Sequence, residues 1–299
     1  MFQPKELFIG LRYIRARRKN HFVSFIAFIS IAGVALGVFA LIVVLSVMNG
    51  FGNELRDRTL SMTSHATITG YDGFLRDWPA VIDKAVQNEE VVAAAPYIRK
   101  EVMLSNGRRV SGSLVRGIEP EMESQVSLVE SKMVSGSLKE LKAGEYGLVI
   151  GRELANSLGV YEGDRVTVIT PQASITAVGV MPRLRRFEVV GVFEVGMHQY
   201  DSAMAYMHLE DASKLFSYKD RINGVRLKLT DLFEAPRITR SIENDFGADY
   251  WVKDWSKQHK NFFRALQTEK TVMFIILLLM VSVAALNIVS TLMMTVTDK

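Results

Sequence analysis

Cysteine is absent from this 299-residue chain, which removes disulfide frameworks, thiolate metal sites and cysteine nucleophiles together. Glycine and proline are too few, at 21 and 7, for a collagen-like or proline-rich disordered polymer. Charge of one dominant sign is also missing. Lys and Arg number 36 against 32 Asp and Glu, a net of +4, so the position of the charge matters more than its sum. No G-x-x-x-x-G-K-[ST], G-x-S-x-G, H-E-x-x-H or G-x-G-x-x-G occurs, which excludes a P-loop ATPase site and the commonest hydrolase, zinc-protease and dinucleotide signatures. The five histidines (His21, His65, His198, His208 and His259) are scattered with no carboxylate at ligand-like spacing, so no metal site is expected. Acidic pairs such as Glu89-Glu90 and Glu210-Asp211 are expected at helix ends, where capping and solvation explain them. With no catalytic constellation, the expected role is mechanical or recognitional, and the chain is not expected to be an enzyme.

What the chain does have is two long apolar runs. Phe22–Met48 is 27 residues and Thr271–Val296 is 26, and neither contains an ionisable side chain. At ~1.5 Å rise per residue each helix reaches about 40 Å, enough to cross a ~30 Å hydrocarbon core with some tilt. The first run is too long for a signal-peptide core of ~7–15 residues and is not closed by a small-x-small cleavage site. Lys5, Arg12, Arg15, Arg17, Arg18 and Lys19 precede it, opposed only by Glu6, which places the N-terminus in the cytoplasm. The 222 residues between the runs then lie outside it, because long loops translocate largely regardless of charge. Nucleic acid drops out as a partner on location. Glu6–Lys19 is itself amphipathic, with Leu7, Leu11 and Ile14 at helical spacing, and reads either as an interfacial helix on membrane lipids or as a plain orientation signal. Within the runs, Gly33 and Gly37 form a G-x-x-x-G that permits close helix approach, and Asn287 is an amide seeking an interhelical partner.

The expected organisation is a cytoplasmic N-terminal helix at 1–21, membrane spans at 22–48 and 271–296, an external α+β domain with a helical stalk at 49–270, and a short cytoplasmic end at 297–299. Within the domain, Asn106-Gly107 between apolar strands predicts a type I′ hairpin. Helices are expected at Pro79–Gln87, Arg152–Leu158, Leu209–Phe216 and Glu234–Phe246, the last broken early by Pro236. Asn49–Ser64 and Trp255–Lys270 read as helical continuations of the spans. Pro171–Pro182 is uncharged, carries Ile175, Val178, Val180 and Met181, and is followed by Arg183, Arg185 and Arg186. Its prolines and Gly179 argue against a central strand. It is either a protruding apolar loop beside a basic patch, suited to docking a partner, or a hairpin lying over the domain's own core.

Three stretches carry a family resemblance. Lys5–Tyr13, Asn20–Phe22 and Ser46–Phe51 form the first; Gly147–Ala155 with Gly163–Val166 the second; Ala284–Leu292 with Val296–Lys299 the third. Together they resemble the LolC/LolE lipoprotein-releasing permeases, whose external domain is shared more loosely with MacB-like and FtsX-like permeases. The resemblance implies an inner-membrane ABC-transporter subunit with a MacB-like periplasmic domain. It also implies a second, LolE-like or homologous permease, a cytoplasmic LolD-like ATPase that binds the ATP and Mg, and a LolA-like soluble carrier that receives acylated lipoproteins. No cofactor is implied for this chain itself. A hook-like, carrier-gripping loop maps onto Pro171–Pro182 and Arg183, with Arg185 matching a neighbouring polar pad, whereas Thr167 and Leu184 depart from that pad's polar or basic pattern. Val38 and Leu45, with Gly33 and Gly37, are expected to line a membrane cavity for acyl chains. Family members continue past Asp298-Lys299, so the resemblance reads the chain as truncated. A mechanotransmission permease of the MacB or FtsX type, or a membrane-anchored periplasmic sensor, are the competing readings.

Overall fold

A computed structural model describes residues 21–62, 64–176, 179–232, 234–255 and 260–297. The amphipathic segment Glu6–Lys19, the ends of the chain and Val178 lie outside the described residues. The chain divides into two compact units, one made of Met1–Asn53 with Asn261–Lys299 and the other of Glu54–Lys260.

The first long helix, α1 (His21–Met62), is 42 residues. The domain follows with β1 (Ala66–Gly70), α2 (Trp78–Val86), β2 (Val91–Asn106), β3 (Arg109–Ile118), α3 (Pro120–Val126) and β4 (Met133–Gly136). Next come β5 (Gly147–Gly151), α4 (Arg152–Leu158), β6 (Arg165–Thr176), β7 (Gly179–Phe193), α5 (His198–Asp201) and β8 (Met204–His208). It closes with α6 (Leu209–Phe216), β9 (Gly224–Leu229), α7 (Ala235–Phe246) and β10 (Tyr250–Asp254), before the second long helix, α8 (Lys260–Thr297).

Among the described residues the ten strands form one mixed sheet in the order β10-β1-β9-β2-β3-β8-β5-β7-β4, with β6 pairing both β2 and β7. β5 and β8 are apolar and buried along their whole length, as strands covered on both faces must be. Alternation along β2 sends Ile98, Val102 and Leu104 to one buried face. On the opposite face, Ile118, Val129, Leu138, Val149, Phe193 and Tyr206 form a second core.

Local chemistry explains several boundaries. α4 stops at Gly159, whose φ of +63° gives the left-handed C-cap that glycine adopts without penalty. Pro236 lies in the first turn of α7 and starts the helix instead of breaking it, because the missing N–H is one that the first turn leaves unpaired anyway. The β2–β3 loop is Gly107-Arg108, with positive φ at Gly107 and not at Asn106. That is the type II′ pattern, one residue displaced from the expected type I′ turn.

α1 runs without interruption through the expected stalk to Met62. At the other junction Trp255 belongs to the domain: it is buried, its backbone N–H donates to His65 O at 3.1 Å, and its Nε1 donates to Leu232 O at 2.7 Å. Within the domain, β1 pairs antiparallel with β10 from Ala66↔Asp254 to Gly70↔Tyr250.

In the first unit, a Cβ built on Gly37 meets Met280 Sδ at 3.7 Å, so α1 and α8 touch there. Val34, Gly37, Leu41 and Leu45 are the half-buried positions of α1 in this stretch, and Met273, Met280 and Ala284 those of α8. Both sets follow the three-and-four spacing of a helix–helix seam. Gly33 has open space around it and Val38 is 50% exposed, so both lie off this seam. Among the described residues no helix is long and apolar enough to cross a membrane. Several side chains within both uncharged runs, including that of Asn287, lie outside those residues, so a membrane role for α1 and α8 rests on sequence.

Candidate functional site

Within the segment Pro171–Pro182, Pro171–Thr176 and Gly179–Pro182 are strand and not loop. β6 and β7 pair antiparallel from Arg165↔Glu188 to Thr176↔Gly179. β2 pairs with β6 only at Met103↔Ile169, Leu104↔Val168 and Ser105↔Thr167, and β5 begins its pairing with β7 at Glu188. Past Ile169 and Leu184 the two strands have no other ladder partner among the described residues, so they project from the sheet as a two-stranded ribbon. The register slips by two between Ile169↔Leu184 and Ala173↔Pro182. That bulge takes up Pro171, which has no N–H to give a ladder. Proline thus excluded a central strand, as sequence reasoning held, but left an unshared ribbon open. The side chains of Ile175, Val180 and Met181 lie outside the described residues; Pro171, Pro182 and Arg183 are exposed at the ribbon's root.

Strand alternation sorts the root's side chains onto two faces. Phe187 is buried with Val166 and Val168, and Arg183 and Arg185 share its side of β7. Arg185 stacks its guanidinium 3.8 Å from the centroid of Tyr146, whose ring meets Phe187 edge-on at 5.5 Å. Tyr146 is held in an unusual backbone state, with φ of 55°. Its N–H donates to Asp211 Oδ2 at 3.2 Å, Gly144 N–H donates to Asp211 Oδ1 at 2.9 Å, and Glu188 N–H donates to Tyr146 O at 3.0 Å. Asp211 does sit at a helix end, in the first turn of α6, but it is completely buried, so solvation does not explain it. It is a clamp that fixes the aromatic seat of Arg185. Sequence carried no sign of this, because Asp211 and Tyr146 are 65 residues apart.

The opposite face of the root is bare sheet. Gly112, Met103, Ile169 and Leu184 line up across β3, β2, β6 and β7, beside a second row of Val110, Ser105, Thr167 and Arg186. A cleft of about 650 Å³ opens on this side, lined by Met103, Gly112, Leu114, Ile169, Pro171 and Pro182 among others. Leu184 and Thr167, the departures from the pad pattern, therefore belong to a different face from Arg185.

A third constellation lies deeper. Arg226 Nη1 donates to Glu123 Oε1 and Arg226 Nε donates to Ser64 Oγ at 2.5 Å, with Arg226 and Glu123 both buried. Arg116 shares this neighbourhood, its Cζ 5.8 Å from the Tyr206 ring, but its Nε and Nη1, Glu123 Oε2 and the Tyr206 hydroxyl are buried without hydrogen-bond partners among the described residues. Burial pushes the Tyr206 phenol up to about 12, against the pull of Arg116. Burial drives Arg116 below its usual value; burial also pulls Arg226 down, but Glu123 together with Tyr206 and Tyr97 holds it above its own. His208 has Glu119 Oε1 3.5 Å from its Nε2, and that hydrogen bond raises its pKa. Among the described residues no group of three His, Asp or Glu gathers to hold a metal.

These features fall within recognisable company. Residues 27–244 match the MacB-like periplasmic core domain family. Over 299 residues the chain is 44% identical to the lipoprotein-releasing system transmembrane protein LolC of Xylella fastidiosa, covering 100% of this chain and 72% of that one. LolC of Neisseria meningitidis serogroup B is 43% identical over 98% of this chain and 71% of its own. The lipoprotein-releasing system transmembrane protein LolE of Haemophilus influenzae is 33% identical over 98% of this chain and 71% of its own. The chain belongs to the LolC/LolE family of lipoprotein-releasing system transmembrane proteins and carries a MacB-like periplasmic core domain.

Proposed function

We propose that this chain is the permease subunit of an ABC transporter that lifts acylated lipoproteins from the inner membrane and passes them to a soluble periplasmic carrier. α1 and α8 cross the bilayer with the N-terminus in the cytoplasm, and the domain between them stands in the periplasm. ATP and Mg are bound and ATP is hydrolysed on a separate, LolD-like ATPase, and a LolE-like or homologous permease completes the membrane part. Such coupling is required because each buried CH₂ of an acyl chain costs about 0.8 kcal/mol to expose. Release of two or three chains into water without work is negligible.

The observation that carries the reading is the ribbon. An edge that pairs only with itself is a liability in a folded domain, and here its prolines, bulge and lack of charge keep it projecting beside Arg183 and Arg185. The carrier docks on the ribbon, and Arg185 on its Tyr146 seat supplies a fixed cation at the contact. Photo-crosslinkers at Ile175 and Val178 in the assembled transporter are expected to capture the LolA-like carrier, with capture reduced in Arg185→Glu. Crosslinkers at both positions that never yield the carrier, in cells where lipoprotein release proceeds, would remove the ribbon's role.

A further inference from the structure

A solvated face of an antiparallel sheet ordinarily carries polar side chains. The bare face at the root of the ribbon does not. Of the eight positions in its two cross-strand rows, Arg186 alone is charged, and Ser105 and Thr167 are the only other polar residues. Met103, Val110 and Leu184 are 50%, 51% and 62% exposed, and the register sets them side by side. A Cβ at Gly112 would meet nothing within 4 Å, so the floor of the cleft is open there. Of the polar side chains at the edge, Ser113 Oγ donates to Ala203 O at 2.9 Å, and Glu101 is the charged residue of the cleft lining. A protein partner wants about one hydrogen bond per 100–200 Å² of interface, and this face offers few groups to make them. A cleft of about 650 Å³, mainly apolar but lined also by Glu101, Ser113 and Thr170, has instead the size and chemistry of a site for an apolar small molecule.

We infer that this cleft is a binding site for a long hydrocarbon chain, namely an acyl chain of the lipoprotein cargo. The inference rests on the proposed transport role, and it adds a lipid-binding face to the domain. Continuity supports the choice of occupant. Pro171 and Pro182 wall the cleft and are also the first residues of the ribbon, so a chain lying in it reaches the place where the carrier docks. One face of β6 and β7 would shelter the lipid while the other, with Arg185, holds the carrier.

The test uses the full transporter in cells fed an alkyne-bearing fatty acid, with a photo-crosslinking residue at Met103 or Leu184 and a control at the exposed Tyr161. Alkyne-labelled adducts enlarged by the mass of a lipoprotein are expected at Met103 and Leu184 and not at Tyr161. Gly112→Leu fills the cleft and is expected to reduce these adducts about tenfold or more, as when about two methylenes lose their apolar contact. Carrier capture at Ile175 should persist in that variant, which also shows that the domain has folded. Adducts of phospholipid mass alone, capture of carrier protein alone at Met103 and Leu184, or no adduct at either position would each overturn the inference. Lipoprotein adducts at Met103 without carrier capture at Ile175 would uphold the cleft and sink the ribbon's docking role.

Discussion

The buried charges around Glu123 make an asymmetric prediction. Two guanidiniums, Arg116 and Arg226, share one carboxylate, and only Arg226 is bonded to it. Glu123→Gln removes the carboxylate that both cations face, a loss of about 3–5 kcal/mol by the general cost of breaking a buried pair. Arg226→Met should cost less. It strands Glu123, but Arg116 is already within its electrostatic reach and has two donors without partners. The penalty then approaches that of one hydrogen bond to a charged group, roughly 1.5–3 kcal/mol. Arg116→Met removes the excess cation and is expected to be neutral or stabilising, as apolar replacement of buried charge often is. At roughly 2–4 °C per kcal/mol for a domain of this size, Glu123→Gln lowers Tm by about 6–20 °C. The assay is thermal unfolding of the purified chain in detergent, followed by tryptophan fluorescence. A Tm order in which Arg226→Met or Arg116→Met proves the most damaging would refute the reasoning.

Other predictions follow from single sites. Gly136 has φ of +66° and a Cβ there would strike Val190 O, so Gly136→Ala is expected to lower Tm by several degrees, while Gly112→Ala, with open space above it, leaves Tm unchanged. Asp211→Asn forfeits the charge that holds the Gly144 and Tyr146 amides, about 1.5–3 kcal/mol; thermal unfolding measures the loss, and carrier capture through Arg185 should weaken with it. The two histidines impose opposite pH trends. Glu119 raises the pKa of His208, so its stabilisation is present below the usual 6.5 and is lost as pH rises through the folded value; burial lowers that of His65, which costs stability as pH falls below 6.5. Tm measured from pH 5.5 to 8.5 should therefore show His208→Gln farthest below the parent at the acid end, and a gap that widens with rising pH would contradict the assignment.

Much of the domain was legible in sequence where local chemistry decides it. Gly159 ended α4, and the uncharged runs marked the long helices. Reading failed where partners lie far apart in the chain. The segment Pro120–Val126 was not recognised as a helix, because Glu121 and Glu123 look like surface residues until Arg226, 103 positions later, comes beneath Glu123. Asp211 looked like a solvated cap for the same reason. Pro171 and Pro182 were read against a central strand, and the bulge shows how a ribbon accommodates them at the edge. The division of the root into an Arg185 face and an apolar face depends on the register of four strands, which composition does not encode.

The most direct test of the transport assignment is lipoprotein transfer in proteoliposomes containing this chain, its partner permease and the ATPase, with purified carrier outside. ATP is expected to drive a radiolabelled lipoprotein onto the carrier, and replacing residues 172–181 by a short glycine turn should abolish transfer while ATP hydrolysis continues. Transfer at the parental rate without the ribbon, or release that needs neither ATP nor this chain, would contradict the account.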